Sequence, residues 1–290
     1  MTILNKSSRY EVTSRDRALL TPLLYGPLTA AQLQRFNWQM ERPFLSEKYL
    51  RRRLCRLSTL GLVHSDRRYA AEIENGPKVY QLTKAGFHFL QPDDPLPHRS
   101  FFAPIRLGAQ HHTFALQETV SLLCQAFHLF GTKILQVRRD REIFLECDGG
   151  RVMPDAAFRV ENSHGIFTYY IELDCGTEPV FSTKSRESLY RKIRLYDEIE
   201  LASSQRFKVL TVFKQSPLRQ SNFLDLTGQT IINPKRRTVF LATMLSDLQQ
   251  AVQTTTDPLF LDHLRRPQSL PKGRQNVMMP ATQRTPMVTV

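Results

Sequence analysis

The chain is poor in the features that mark a secreted, zinc-bound or membrane-spanning protein. Its four cysteines, Cys55, Cys124, Cys147 and Cys175, lie far apart with no Cys-x-x-Cys spacing, so no structural zinc site is expected. No apolar run approaches the ~20 residues that a membrane helix requires, and no membrane partner is expected. No signal-peptide pattern opens the sequence, which makes a reducing cytoplasm the expected compartment. No internal repeat is visible. Acidic residues are also short: 27 Asp and Glu face 40 Lys and Arg, a formal charge of +13. Such an excess repels itself in a compact fold and attracts polyanions, so nucleic acid is the first partner to consider.

What is present describes a folded chain of two parts. Apolar residues at 41% and charged residues at 23% are ordinary for a globular protein, and 290 residues suffice for two cores. The charge is uneven. Residues 1–100 carry 16 basic against 9 acidic side chains, residues 101–200 carry 12 against 14, and residues 201–290 carry 12 against 4. The near-neutral middle, which holds most of the acids, is where metal or acid–base chemistry would belong.

Local patterns predict a helix from an N-cap at Ser14, with Ala18, Leu19, Leu23 and Leu24 on one face, ending at Gly26-Pro27. Thr29 caps a second helix to about Phe36. Ser46 caps a third, Glu47 to about Leu60, which closes at Gly61. Two strands follow, Leu62 to about Tyr69 and Val79 to Leu82, joined by the turn residues Asn75-Gly76-Pro77, and then a helix from Lys84 to about Leu90. Helix, helix, helix, hairpin, helix is the winged helix-turn-helix order, and it bounds a first domain at residues 14–91.

Residues 92–106, with four prolines, read as a linker. A long helix is expected from Gln110 to Phe130, then strands at Lys133–Arg138, Ile143–Glu146, Asp155–Val160 and Phe167–Leu173. A helix from Ser185 to about Leu201, strands at Lys208–Phe213 and Thr238–Ala242, and a short helix at Leu245–Val252 complete an α/β domain over 107–255. It is a mixed sheet with flanking helices, so the whole chain is α+β or α/β. Residues 265–290 hold five basic residues, four prolines and no acids, and read as a disordered tail.

The third helix carries the strongest binding signal. At about 100° per residue, Leu50, Leu54 and Leu57 share one narrow sector and face the core. Lys48, Tyr49, Arg52, Arg56 and Thr59 fall opposite, flanked by Arg51 and Arg53. Guanidinium groups in that number can neutralise phosphates and still place forks on guanine edges. Arg67, Arg68 and Lys78 of the hairpin are placed for neighbouring phosphates or the minor groove. Alone, such a run describes a solvated helix face. At the recognition-helix position it points to double-stranded DNA, and Leu54 to Leu62 with Val79-Tyr80-Gln81-Leu82-Thr83 and Gly86 is similar to many bacterial winged-helix regulators.

In the second domain Pro154-Asp155 opens a strand, Glu172-Leu173-Asp174 ends the next, and Lys192 and Tyr196 share a face of the following helix. Three acids on one side of a sheet can hold a divalent cation for phosphodiester hydrolysis, with a lysine polarising water or phosphate. The order resembles the PD-(D/E)xK, restriction-endonuclease-like nuclease fold. That resemblance implies Asp155, Glu172, Asp174 and Lys192 as catalytic residues, and Mg²⁺ on Asp155, Glu172 and Asp174. The chain departs from it where Asp174 stands in the lysine's position, with Lys184 or Lys192 as substitutes. Glu118, Glu178, His111 and His112 are further candidates around such a site, against surface or turn roles.

A narrower resemblance combines these features: Arg56-Leu57-x-x-Leu60-Gly61-Leu62, His111-His112, Met153-Pro154-Asp155, Ile171-Glu172-Leu173-Asp174 with Gly176-Thr177-Glu178, and Lys192-Ile193-x-x-Tyr196. Over roughly residues 14–245 the chain resembles the replication-relaxation proteins of bacterial plasmids and mobile elements. The resemblance implies a DNA-binding role in replication or relaxation, and that Asp174 is normal for this branch. Three functions stay open: a site-specific factor on an inactive nuclease-like scaffold, a Mg²⁺-dependent endonuclease or nickase, and a winged-helix transcriptional repressor. Replication or relaxase proteins and a second copy of the chain are the further partners left open.

Overall fold

The computed structural model describes residues 11–66, 77–139, 142–182, 188–203, 206–232, 239–257 and 260–270. Arg67, Arg68, Lys184 and residues 271–290 therefore lie outside the described residues.

The amino-terminal part follows the expected element order. Helix α1 (Ser14–Leu20) is capped one residue earlier than expected, by Thr13, whose hydroxyl and backbone exchange hydrogen bonds with Asp16 in a capping box. A short strand β1 (Leu28–Thr29) leads into α2 (Ala30–Gln34), where Thr29 and Gln32 form a second capping box. Helix α3 (Glu47–Thr59) has Ser46 at its cap position, but the serine side chain makes no capping bond. Strands β2 (Val63–Asp66) and β3 (Val79–Leu82) pair antiparallel, with Val63 opposite Leu82, and β1 adds to β3, giving the order β1-β3-β2. Helix α4 (Lys84–Leu90) closes the unit. Gly86 has no room for a side chain: a Cβ there would sit 1.9 Å from the Leu62 carbonyl oxygen.

The second part opens with α5 (Leu107–Leu129) and continues through β4 (Lys133–Arg139), a β5–β6 hairpin (Leu145–Cys147, Gly150–Val152), β7 (Ala156–Asn162) and β8 (Gly165–Asp174). Then come α6 (Leu189–Ala202), β9 (Phe207–Phe213), α7 (Pro217–Thr230), β10 (Phe240–Met244), α8 (Leu245–Thr254), β11 (Phe260–Leu261) and β12 (Pro267–Gln268). Seven strands form one mixed sheet in the order β12-β11-β10-β9-β8-β7-β4. Among the described residues only β8, β9 and β10 run parallel, and α6 and α7 make the crossovers.

Helices cover both faces. Leu123 and Phe127 of α5 and Leu248 of α8 pack with Phe158, Tyr169, Ile171 and Leu210. Ile193 and Tyr196 of α6 and Phe223 of α7 pack with Tyr170, Val209 and Phe240 on the other face. With no face left to water, the end of β8 is buried at every residue from Tyr169 to Asp174.

The structure departs from the expected layout in three places. Residues 92–106 are docked rather than free: Phe101 and Phe102 pack edge-on against Phe87 at 5.8 and 6.2 Å, and Gln81 donates to the Phe101 carbonyl. The first core is also continuous across the expected boundary, holding Leu19, Leu33 and Leu54 together with Leu123 and Phe127. Finally, the second sheet continues past residue 255. Pro267–Gln268 pairs with Phe260–Leu261, and Arg265 and Arg266 bind Asp225 and Asp262, so the tail expected from residue 265 is paired through its first residues.

Candidate functional site

Two groups of side chains stand out. On α3 the leucine stripe is as read, with Leu50, Leu54 and Leu57 each 0% exposed. Lys48, Tyr49, Arg51, Arg52 and Arg56 face solvent, and Lys78 is exposed at the start of β3. Arg51 reaches back one turn to Glu47. Arg53 does not belong to this surface. It turns inward onto Asp16 and the Glu11 carbonyl, tying α3 to α1. Burial works against the Asp16 carboxylate, but Arg53 and Thr13 outweigh it and hold the carboxyl below its ordinary range.

The second group lies at the carboxyl ends of the parallel strands β8 and β9, where open α/β sheets place their sites. Register puts Ala156 opposite Ile171, so Asp155, just before β7, lies beside the end of β8. The Leu173 amide donates to Asp155 Oδ2 at 2.7 Å, and His112 on α5 lies 3.3 Å from Oδ1. Glu172, 4% exposed, accepts from Tyr196 Oη at 2.6 Å on Oε1 and from Lys192 Nζ at 2.9 Å on Oε2. Lys192 also donates to Glu178 at 3.0 Å. The four-residue spacing of Lys192 and Tyr196 thus delivers both to one carboxylate, as a shared helix face requires.

Asp174 points to a different partner. Arg219, in the first turn of α7, grips it through Nε and Nη2 at 3.0 and 2.5 Å and donates to the Glu178 carbonyl, while the Gly176 amide donates to Oδ1. Beside the cluster, Lys214 follows β9 and its ammonium contacts His111 at 2.5 Å.

Electrostatics follow from burial and pairing. Burial pushes the Glu172 carboxyl up, against the pull of Lys192, to about 7. Burial opposes the Lys192 ammonium, but Glu172, Glu178 and Asp155 outweigh it and raise its titration. Burial and Glu172 keep the Tyr196 hydroxyl a neutral donor. The hydrogen bond to Asp155 raises His112 despite desolvation.

As arranged, these residues do not fit a divalent cation. Every carboxylate oxygen of Asp155, Glu172 and Asp174 has a protein hydrogen-bond or ion-pair partner. Among the described residues no three His, Cys, Asp or Glu side chains are grouped to hold a metal ion. Glu118, considered above as an extra ligand, is elsewhere. It binds Arg35 at 2.5 Å, Gln32 at 2.9 Å and Gln249 at 3.1 Å, joining α2, α5 and α8. The cluster is a polar network in which the carboxylates are held by protein donors.

Arg219 and Lys214 were missed by the reading of the sequence. Ser216-Pro217 is an N-cap signal that places Arg219 in a first helical turn, and Lys214 directly follows an apolar strand beside β8. Their pairing with Asp174 and His111 is tertiary and has no local signature.

No helix among the described residues is long and apolar enough to cross a membrane. No curated protein matches the chain. Among solved structures, a DNA-bound restriction endonuclease FokI aligns with 83% of this chain and 44% of its own, at 12% identity and a TM-score of 0.25. The chain thus spans less than half of that protein, and a likeness this weak carries no argument. Residues 25–211, well over half of the chain and including α3 and the whole carboxylate cluster, match the replication-relaxation family; the chain belongs to that family.

Proposed function

We propose that the protein is a sequence-specific duplex-DNA-binding factor acting in the replication or relaxation of a plasmid or mobile element. Its amino-terminal unit is a winged helix-turn-helix. Its second unit is a restriction-endonuclease-like scaffold that grips DNA or a partner and does not cut. The observation that carries this reading is the solvent face of α3, where Lys48, Tyr49, Arg51, Arg52 and Arg56 are exposed opposite a fully buried leucine stripe. An exposed cationic helix face is suited to phosphates and guanine edges. Lys78, exposed just before β3, adds to it. Family membership and the charge of +13 support the same partner.

A nickase would need carboxylate oxygens open to a cation, whereas those of Asp155, Glu172 and Asp174 are engaged by protein groups. A repressor would use the same α3 face. Where the footprint falls, at an origin or at a promoter, separates repression from replication.

The test is a footprint and titration on DNA from the element that encodes the protein. Arg52→Ala with Arg56→Ala should weaken specific binding by about 1–3 kcal/mol for each lost base contact, with the fold unchanged by circular dichroism. Unchanged affinity in that double variant would overturn the assignment of α3.

A further inference from the structure

Just ahead of α3, residues 41–45 form a loop whose construction the cationic face does not explain. Leu45 is 92% exposed, more than any other large apolar side chain among the described residues, and Tyr49, one turn into α3, is 53% exposed. The loop is nonetheless firmly held. Phe44 is buried, and the Asn37 side chain both donates to its carbonyl at 3.1 Å and accepts from its amide at 3.2 Å. Arg15 stacks over the Phe44 ring at 3.6 Å and donates to the Pro43 carbonyl at 3.0 Å. Anchoring of this kind, beside a leucine left almost wholly in water, fixes the leucine's position and does not bury it. Arg42, Leu45, Tyr49, Arg52 and Arg56 line one open groove, in which cations outnumber the acids Asp16 and Glu41, so the apolar pair is set in a basic surround.

We propose that Leu45 and Tyr49 form an apolar reading ridge that packs on thymine 5-methyl groups in the major groove of double-stranded DNA and selects thymine at one or two positions of the site. The proposal rests on the DNA-binding reading above. Charge complementarity names the occupant: Arg42, Lys48, Arg52 and Arg56 around the ridge are exposed and suit a polyanion. The chemistry is that of the groove itself. Thymine is the base that presents a methyl group there, and apolar side chains are the groups that read it. The amino-terminal turn of a recognition helix is the segment that meets base edges, and Leu45 and Tyr49 flank its first residues. Arg42 would contact phosphate, positioning the ridge without reading sequence.

The experiment uses the full chain and the duplex it selects from a random-sequence pool. Each thymine of that duplex is replaced in turn by uracil, which lacks only the methyl group. The wild-type protein should lose about fourfold in affinity per contacted methyl, at one or two positions and not elsewhere. Leu45→Ala with Tyr49→Ala should bind thymine and uracil duplexes equally. Arg42→Ala should weaken both alike and keep the discrimination. All three side chains are exposed, so the variants should fold, and circular dichroism checks that they do. Indifference of the wild type to uracil at every position would overturn the ridge, as would full discrimination by the Leu45→Ala, Tyr49→Ala variant. Either result leaves DNA binding intact if Arg52→Ala with Arg56→Ala still weakens the complex. Failure of the protein to select any duplex would overturn both readings.

Discussion

Lys192 stands between two carboxylates, and its ammonium is what makes a buried Glu172 tolerable. Removing one member of a buried ion pair leaves the other uncompensated, which costs several kcal/mol. Lys192→Met should therefore destabilise the fold by about 3 kcal/mol at pH 8. The sign of the pH dependence follows from Glu172. Burial lifts its carboxyl to about 7, and higher once the ammonium is gone, so below that pH the folded state keeps the proton that the unfolded chain releases near its ordinary value of 4.5. In the variant, stability is retained at pH 5 and lost as pH rises through 7. Urea unfolding at the two values checks this, and an equal loss at both would show that Glu172 is not the group left exposed to desolvation. Sequence alone set Asp155 and Glu172 on paired strands and Lys192 and Tyr196 on one helix face, because alternation along a strand and a four-residue step along a helix are local geometry. It could not foresee that Arg219 would take Asp174, since that partner arrives from a helix 45 residues on.

At the scale of elements, α3 is placed by its own leucines and by Arg53, the one arginine of the run that turns away from solvent. Asp16 receives Arg53 and closes the capping box of α1, so one side chain serves the start of one helix and the docking of another. Its carboxyl is held below the ordinary range, with burial outweighed by Arg53 and Thr13. Stability from this pairing is present above the unfolded value of 3.8 and lost as pH falls through the lower folded value. Asp16→Asn should melt several degrees lower than the wild type at pH 7, and the gap should close in acid. Thermal melts across pH decide it, and a gap that persists at low pH would remove the ionised pair from the account. The reading of the sequence found α1, α2 and α3 because apolar periodicity and caps agreed. It missed α7 altogether, since Pro217–Thr230 mixes apolar and polar residues around Gly228 and its helicity depends on packing of Phe223 and Leu224 against β10.

For the whole molecule, the decisive contact is Glu118. The sequence offered it as one further candidate ligand of a metal site; the fold uses it to join the two parts of the chain, gathering Gln32 and Arg35 from α2 and its C-cap and Gln249 from α8. Trp38 stacks on His128 at 4.2 Å nearby, and the apolar core runs through the same junction. Helix α3 is therefore held in a fixed orientation to the mixed sheet. Glu118→Ala should cost about 2 kcal/mol and uncouple the parts, turning one calorimetric transition into two. A single transition at an unshifted Tm would mean that the core alone maintains the junction.

The sequence by itself determined the helical amino-terminal unit, the cationic face of α3, the mixed sheet and the family, because each is written in short-range spacing or in a contiguous motif. Tertiary structure alone decided which charges are spent inside. Arg53, Glu118, Asp174 and Lys192 are indistinguishable in one dimension from the exposed arginines of α3 and from a set of metal ligands. The difference lies in partners brought from 14 to 131 residues away. A charge is compensated by whatever folding brings within a few ångströms, and that distance is not encoded locally.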